Sequence, residues 1–586
     1  MHDDLISGDV GSSIHCAANN SKECGIEQGS YFEGFDSGVG FGSSIILSKN
    51  MDYTLQLVVK GEASIKVFLS DADAEEYLFS ATITSTSNWT TISQTFTSPA
   101  TTNATLRISA LKSSPEWWLG STSLTPASNT WKGMRIDVVD GLKALKNRGL
   151  LRWPGGCFAP FYRWKIGLLP PHERPPIETP PDNCAAVPGG INAYTDGMME
   201  NGIGVDDFMA LCERIGMVPA ITLRLSLGSE EEIEEAADLI EYLNGDANGT
   251  KWGRVRASRG RVEPFNVEHV YVGNEIDRQT RYPTYPNSKE TIAAASSSEY
   301  AEMMSNMIPR ILQKSPTIKL KIFAVSANVE WNKAWVEMGL AEYVFATSNH
   351  DGYYEQPDYD DWTAEALTKA INYPRGGFID GVKELRKALD DSGAKGVKIS
   401  ADEYGLGSPW LVTEFSVAHA IYVGAFLTSA MRYSEETGLI LTNYFEAINE
   451  GAIKVGPDGV VMNAVASAFE LYSLHGNGEL IELLENNIEI EEDRRFDVVA
   501  TKMQNENENE GGGYVVVTFV GLDCEKWEDE VVEISLKGVA EGTVGKLETL
   551  RASGFDPKSS FGKKEVGEFE NEVGRSSGGG GAFVAE

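Results

Sequence analysis

Glu268-His269-Val270-Tyr271-Val272-Gly273-Asn274-Glu275 reads as a short strand, rich in β-branched and aromatic residues, that breaks at glycine and then sets an amide beside a carboxylate. A carboxylate at the C-terminal end of a parallel strand stands where barrel enzymes keep their chemistry. Such an acid needs a partner, and Ile399-Ser400-Ala401-Asp402-Glu403-Tyr404 supplies one, a second strand ending in an acid. A lone strand-end glutamate is more often a structural ion partner. Two of them are the minimum equipment for cleaving a glycosidic bond with retention.

Outward from these two strands, strand and helix signals alternate. Asp206-Asp207-Phe208-Met209-Ala210-Leu211-Cys212-Glu213-Arg214-Ile215-Gly216 opens on capping-type acids, shares one face among Phe208, Leu211, Cys212 and Ile215, and stops at glycine. Val218 to Leu223 is the next expected strand and Glu230 to Leu243 an acidic amphipathic helix. After the first acid strand come a helix over Glu299–Leu312, strands over Ile318–Val325 and Tyr343–His350, and a helix around Val382–Leu389. The second acid strand is followed by a long apolar helix, Val412–Tyr433, and a strand, Leu439–Tyr444. Repeated β-then-α units with polar residues at strand ends predict an α/β fold, a (β/α)8 TIM barrel rather than an open doubly wound sheet. No glycine fingerprint for phosphate opens any helix, which disfavours nucleotide binding.

The flanks differ in texture. Strand-length segments from Thr54 to Ile108 predict an N-terminal β-sandwich of the carbohydrate-binding type, in which Trp89, Trp117 and Trp118 either stack sugar rings or pack internally. Phe496–Thr501, Tyr514–Val520 and Val531–Leu536 predict a C-terminal β-sandwich, interrupted by the Asn/Glu/Gly tract Gln504–Gly513. The expected organisation is therefore an unassigned segment over 1–29, a sandwich over 30–130, a barrel over 131–450 and a second sandwich over 451–586. The Pro-rich segment from Pro170 to Pro188 is too long for a simple connection and is expected on the rim of the active site.

With 586 residues, 42% of them hydrophobic, the chain is long enough for two or three domains. A formal charge of −36 argues against nucleic acid, because phosphate binding wants a basic face. No run of about 18 apolar residues exists, so no membrane span is expected. Asn19, Asn88, Asn103 and Asn248 each open a glycosylation triplet, which points to secretion. Met1-His2-Asp3-Asp4 lacks the basic start and apolar run of a signal peptide, so that location requires a start further upstream. Cys16 and Cys24 are near enough to close a small disulfide loop, while Cys157, Cys184, Cys212 and Cys524 show no metal-ligand spacing.

Arg152-Trp153-Pro154-Gly155-Gly156-Cys157-Phe158, Gly273-Asn274-Glu275 and Asp402-Glu403-Tyr404, taken in this order, resemble the family 51 glycoside hydrolases, and among them the eukaryotic α-L-arabinofuranosidases. Tyr162 to Gly167 with Glu173-Arg174-Pro175, and Trp252-Gly253 with Glu263 to Asn266, are similar to that family's flanking segments. The resemblance implies Glu275 as general acid/base and Glu403 as nucleophile, the first protonated and the second ionised. It implies that Asn274 bonds the sugar hydroxyl beside the anomeric carbon. Arg152 is implied near the nucleophile, and His350 with Tyr353 or Tyr354 against it. Cys157 stands where bacterial members carry a substrate-binding asparagine, Ser226 where many have asparagine, and Glu446 where glutamine is usual. The family's first barrel strand, bearing a substrate-binding glutamate, precedes its sandwich and is not found between Met1 and Ser30, which suggests a shortened chain.

The expected activity is exo-acting release of terminal α-L-arabinofuranosyl groups from a plant-type or algal cell-wall polysaccharide, without metal or cofactor. Two alternatives remain open: an endo-acting relative cutting β-glucan or xylan chains, and a non-catalytic carbohydrate-binding protein whose barrel is a relic.

Overall fold

The computed structural model describes residues 14–16, 24–26, 45–71, 77–110, 117–128, 130–145, 149–171, 174, 177–178, 198–199, 201–225, 228–277, 296–354, 363–406, 417–448, 451–456, 459–476, 478–481, 496–504, 514–521, 532–536, 544–551, 568–575 and 581–585. They fall into two units: Met1–Asp140, Leu150–Ile322 and Gly456–Gly459 in the first, and Gly141–Gly149, Phe323–Val455 and Val460–Glu586 in the second. Ser226, most of the Pro-rich segment and the tract after Gln504 lie outside the described residues.

The first unit opens with a β-sandwich. One sheet runs in the order Cys24–Ile26, Ile14–Cys16, Trp117–Pro126, Asp52–Lys60, Thr90–Thr97, and the other in the order Ile45–Leu47, Thr102–Ala110, Ser64–Asp71, Tyr77–Thr84. Asp52–Lys60 alternates outward and buried residues along its length, the period-two pattern of a strand with one face on a core. Leu55, Leu57 and Val59 meet Ile65, Val67 and Leu69 of the other sheet in one cluster. Trp117 belongs to this core, Lys60 Nζ lies 5.4 Å from the ring centroid of Trp118, and Trp89 is 48% exposed. The described residues ahead of Ser30 join the sandwich sheet, and their register sets Cys16 opposite Cys24.

The rest of the first unit is parallel β/α. Leu150–Trp153 pairs with Val218–Leu223, and that strand with His269–Val272. Lys321, opening the strand Lys321–Val325, donates its N–H to Glu268 O at 2.7 Å. The helix Val205–Ile215 ends at Gly216, whose φ of +78° only glycine adopts freely and whose N–H reaches Cys212 O. The helix Glu230–Asn244 starts on Ser229, whose hydroxyl oxygen accepts from Glu232 N–H. Glu230, Glu231 and Glu234 are exposed, but the other four acids are not. Glu232 and Glu235 are buried against Arg224, Asp238 against Lys165 and Glu241 against Lys314. Recurring every third residue, they form a stripe whose charges are each paired, as burial demands.

The second unit continues the pattern. Thr347 Oγ1 donates to Ala324 O, and Val344–Asn349, Lys398–Ala401 and Leu439–Thr442 pair in parallel, with helices Val329–Glu337, Ala364–Asn372, Gly377–Asp391 and Val417–Arg432 between and after them. Both units are therefore TIM-barrel-like in their strand–helix order. Beyond the barrel strands, Gly352–Tyr354 and Tyr404–Leu406 pair again in parallel. The C-terminal residues are antiparallel: Glu479–Leu480 with Phe496–Met503 and Tyr514–Gly521, Val532–Leu536 with Gly581–Ala585, and Val544–Arg551 with Glu568–Arg575. Asp497 on this sheet pairs with Arg432 of the helix Val417–Arg432. Among the described residues no helix is long and apolar enough to cross a membrane.

Candidate active site

In the first unit the strand His269–Val272 ends because Gly273 turns to φ +89°. A Cβ there would also stand 2.9 Å from Ile276 Cγ1 and 3.3 Å from Leu225 Cβ, so both conformation and space require glycine. Asn274 follows fully buried, and Glu275 is half-buried in the left-handed region at φ +46°. A non-glycine residue held there carries backbone strain of about 1 kcal/mol or more, the kind that collects at functional sites. Arg152, on the strand Leu150–Trp153 two places away in the sheet, donates from Nη1 to Asn274 Oδ1 at 2.8 Å and lies over the Tyr271 ring at 5.5 Å. That bond fixes the orientation of the amide, with its oxygen toward Arg152. The turn after Arg152 is anchored by Trp153, which stacks on Phe208 at 5.1 Å and meets Tyr162 edge-on at 4.7 Å. Cys157 lies in the 3-10 helix Gly156–Phe161, and its side chain is outside the described residues.

The second unit holds the other acid. Ser348, Asn349 and His350 are buried polar residues in succession at one strand end, and Asp402 and Glu403 at the next. Asp402 N–H donates to Asn349 O at 2.9 Å, and Ser400 Oγ donates to Asp402 Oδ2, so the two ends are stitched together. Glu403 is 5% exposed. Its Oε2 accepts from Tyr353 O–H at 3.3 Å, and its Oε1 lies 3.5 Å from His350 Nδ1. Of the two candidate tyrosines, Tyr353 is therefore the one on the acid. Tyr354 points to Tyr373, ring centroids 5.6 Å apart, as the alternation of a strand requires. Glu446 is exposed, on the far side of a cis Phe445–Glu446 peptide bond.

Sequence reasoning missed the support beneath Glu403. Gly352 has no room for a side chain: a Cβ would stand 2.4 Å from Tyr404 Cβ and 2.9 Å from Glu403 O. Tyr404, fully buried, stacks on Phe426 at 3.9 Å and 4°. Tyr422 O–H donates to Gly352 O at 2.7 Å, and His419 Nε2 accepts from Leu406 N–H at 3.3 Å. His419, Tyr422 and Phe426 lie at helical spacing on one face of Val417–Arg432. The available signal was a histidine and a tyrosine in an otherwise apolar helix. Burial depresses the His419 imidazole to about 4, so it is neutral at ordinary pH.

Residues 141–364 match the family described as "Alpha-L-arabinofuranosidase 1 domain", and residues 24–114 the one described as "Carbohydrate binding domain". The chain is 31% identical over 182 residues to the intracellular exo-alpha-L-arabinofuranosidase of Bacteroides ovatus, covering 29% of this chain and 31% of that protein. It is 28% identical over 262 residues to alpha-L-arabinofuranosidase 1 of Arabidopsis thaliana, covering 41% and 36%. The matches span about a third of the length of these curated relatives. The solved thermostable GH51 alpha-L-arabinofuranosidase of Thermotoga petrophila superposes with a TM-score of 0.60 at 23% identity, over 78% of this chain and 89% of that one. At that identity the superposition speaks for the fold alone.

Proposed function

We propose, for a chain that resembles the family 51 glycoside hydrolases and among them the eukaryotic α-L-arabinofuranosidases, that it is a retaining hydrolase releasing terminal non-reducing α-L-arabinofuranosyl residues from arabinose-containing polysaccharides. The observation that carries the reading is Glu403, a carboxyl buried at a strand end with a tyrosine hydroxyl on one oxygen and a histidine ring nitrogen beside the other. A carboxylate so held is oriented, not solvated, which suits a nucleophile. In the first step Glu403 forms a bond to the anomeric carbon while Glu275 gives its proton to the departing oxygen. In the second, water attacks that carbon, its proton passes to Glu275, and Glu403 leaves as carboxylate. A retaining pair works at a carboxyl separation of roughly 5–5.5 Å. The Asn274 amide, held by Arg152, donates to the hydroxyl next to the reacting carbon, a contact that strengthens as charge develops.

Glycan docking by the N-terminal sandwich, a sandwich arrangement for the antiparallel C-terminal strands, and a plant-type or algal cell wall as the source of substrate belong to the same proposal. So does an extracellular location, supported by the exposed Asn88, Asn103 and Asn248; mobility shift of secreted protein on endoglycosidase treatment checks it.

Hydrolysis of an aryl α-L-arabinofuranoside tests the activity. Glu403→Ala and Glu275→Ala should each lose most turnover, and azide should restore Glu403→Ala with an inverted glycosyl azide and Glu275→Ala with a retained one. Turnover in both variants equal to that of the unmodified protein refutes the reading. Release of oligosaccharides in place of free arabinose from polymer would reassign the activity to an endo-acting enzyme.

A further inference from the structure

Glu403 sits at the head of a short segment, Tyr404–Leu406, whose two edges are held differently. One edge pairs in parallel with Gly352–Tyr354, the segment that carries Tyr353. Among the described residues, the other edge has no continuous strand beside it. Phe445 N–H donates to Tyr404 O at 3.3 Å, and Leu406 N–H, buried with its residue, donates to a side chain, His419 Nε2. A backbone N–H can only donate, so Nε2 carries no proton and the neutral ring holds its proton on Nδ1. The Tyr444 hydroxyl, 2.8 Å from the same nitrogen, must then donate to it as well. One imidazole thus ties together the chain leaving Glu403 and the chain leaving the strand Leu439–Thr442, where Tyr444 precedes Phe445 and Glu446. The helix bearing it also holds Gly352 O through Tyr422 and the Tyr404 ring through Phe426.

We propose that His419 is a positioning residue: as an acceptor shared by Leu406 N–H and Tyr444 O–H, it sets the reach of Glu403 toward Tyr353 and toward substrate. A hydrophobic residue of similar size would fill the same space and leave a buried donor unmet on the segment behind the nucleophile. The segment would then shift to find a partner, and small displacements of a nucleophile cost rate more than binding. This inference rests on Glu403 being the nucleophile.

The test compares His419→Leu, which removes the acceptor, with His419→Gln, whose side-chain oxygen reaches a similar point, and with Tyr444→Phe. In the full chain, hydrogen exchange followed by mass spectrometry should show peptides covering 404–406 exchanging faster in His419→Leu and at the original rate in His419→Gln. On an aryl α-L-arabinofuranoside, kcat should fall at least about ten-fold in His419→Leu with KM within about two-fold, recover by at least half in His419→Gln, and fall less in Tyr444→Phe. Unchanged exchange at 404–406 in His419→Leu overturns the proposal whatever the activity. So does kcat within two-fold of the unmodified protein, or an equal loss in the Leu and Gln variants. Faster exchange in His419→Leu alongside a Glu403→Ala variant as active as the original would mean instead that the nucleophile assignment failed while the brace exists.

Discussion

Replacing Gly352 by alanine perturbs Glu403 without touching it. The backbone at Gly352 is one that other residues adopt, so the cost comes from space alone. The added Cβ would stand 2.4 Å from Tyr404 Cβ, 2.9 Å from Glu403 O and 3.0 Å from Phe426 Cε2, where ordinary contact begins at 3.4 Å. The first two atoms are backbone or fixed to it, so neither yields by rotating a side chain. Restoring contact opens the pairing of Gly352–Tyr354 with Tyr404–Leu406 by about 1 Å, the difference between 3.4 and 2.4 Å. Overpacking of this kind costs about 1–3 kcal/mol, and in a multidomain chain it should lower the melting point of the affected unit by several degrees, roughly 2–4 °C for each kcal/mol. The same opening lengthens the 3.3 Å bond from Tyr353 O–H to Glu403 and unseats Tyr404 from Phe426. A nucleophile displaced by this much should lose kcat by about ten- to a hundred-fold. Differential scanning fluorimetry and initial rates on an aryl α-L-arabinofuranoside measure both. A Gly352→Ala protein that melts and turns over as the original does would show that the second pairing neither packs tightly nor positions the acid.

Gly381 gives the opposite outcome. It lies exposed within the helix Gly377–Asp391 with nothing within 4 Å of a Cβ, so Gly381→Ala should stabilise by about 0.5–1 kcal/mol, read as a raised melting point at unchanged kcat. Tyr353→Phe should lower kcat by about ten-fold, the value of a long hydrogen bond to a carboxylate, whereas Tyr354→Phe should leave it unchanged; equal effects would undo the choice between them. Burial depresses both His419 and His475 to about 4 in the second unit, against about 6.5 when free. The unfolded chain therefore binds more protons between these values. Stability present above pH 6.5 should fall as pH drops toward 4, by up to about 1.4 kcal/mol per pH unit for each histidine. His419→Gln should flatten the melting-point profile over that window, and an unaltered slope would refute the assignment.

Much of this chain was legible in its sequence because the informative signals are local. Strand and helix periods depend on which face of an element is buried, so Val218–Leu223 and Val205–Ile215 announced themselves, as did the glycine that stops the strand before Asn274 and Glu275. The two acids were recognisable because each follows a short strand-like segment, Glu268–Val272 and Ile399–Ala401. Other features depend on partners distant in the chain, and those only the tertiary structure decided. The sequence marks Glu230–Asn244 only as an acidic amphipathic helix; that Glu232, Glu235, Asp238 and Glu241 are buried is decided by Arg224, Lys165 and Lys314, which arrive from three other segments. Tyr353 and Tyr354 are chemically equal in the sequence; the pairing of Gly352–Tyr354 with Tyr404–Leu406 turns only the first toward Glu403. His419 stands out in the sequence only as a histidine in an apolar helix; its role as an acceptor is defined by the donors brought to it, and Leu406 and Tyr444 reach it only once the chain has folded.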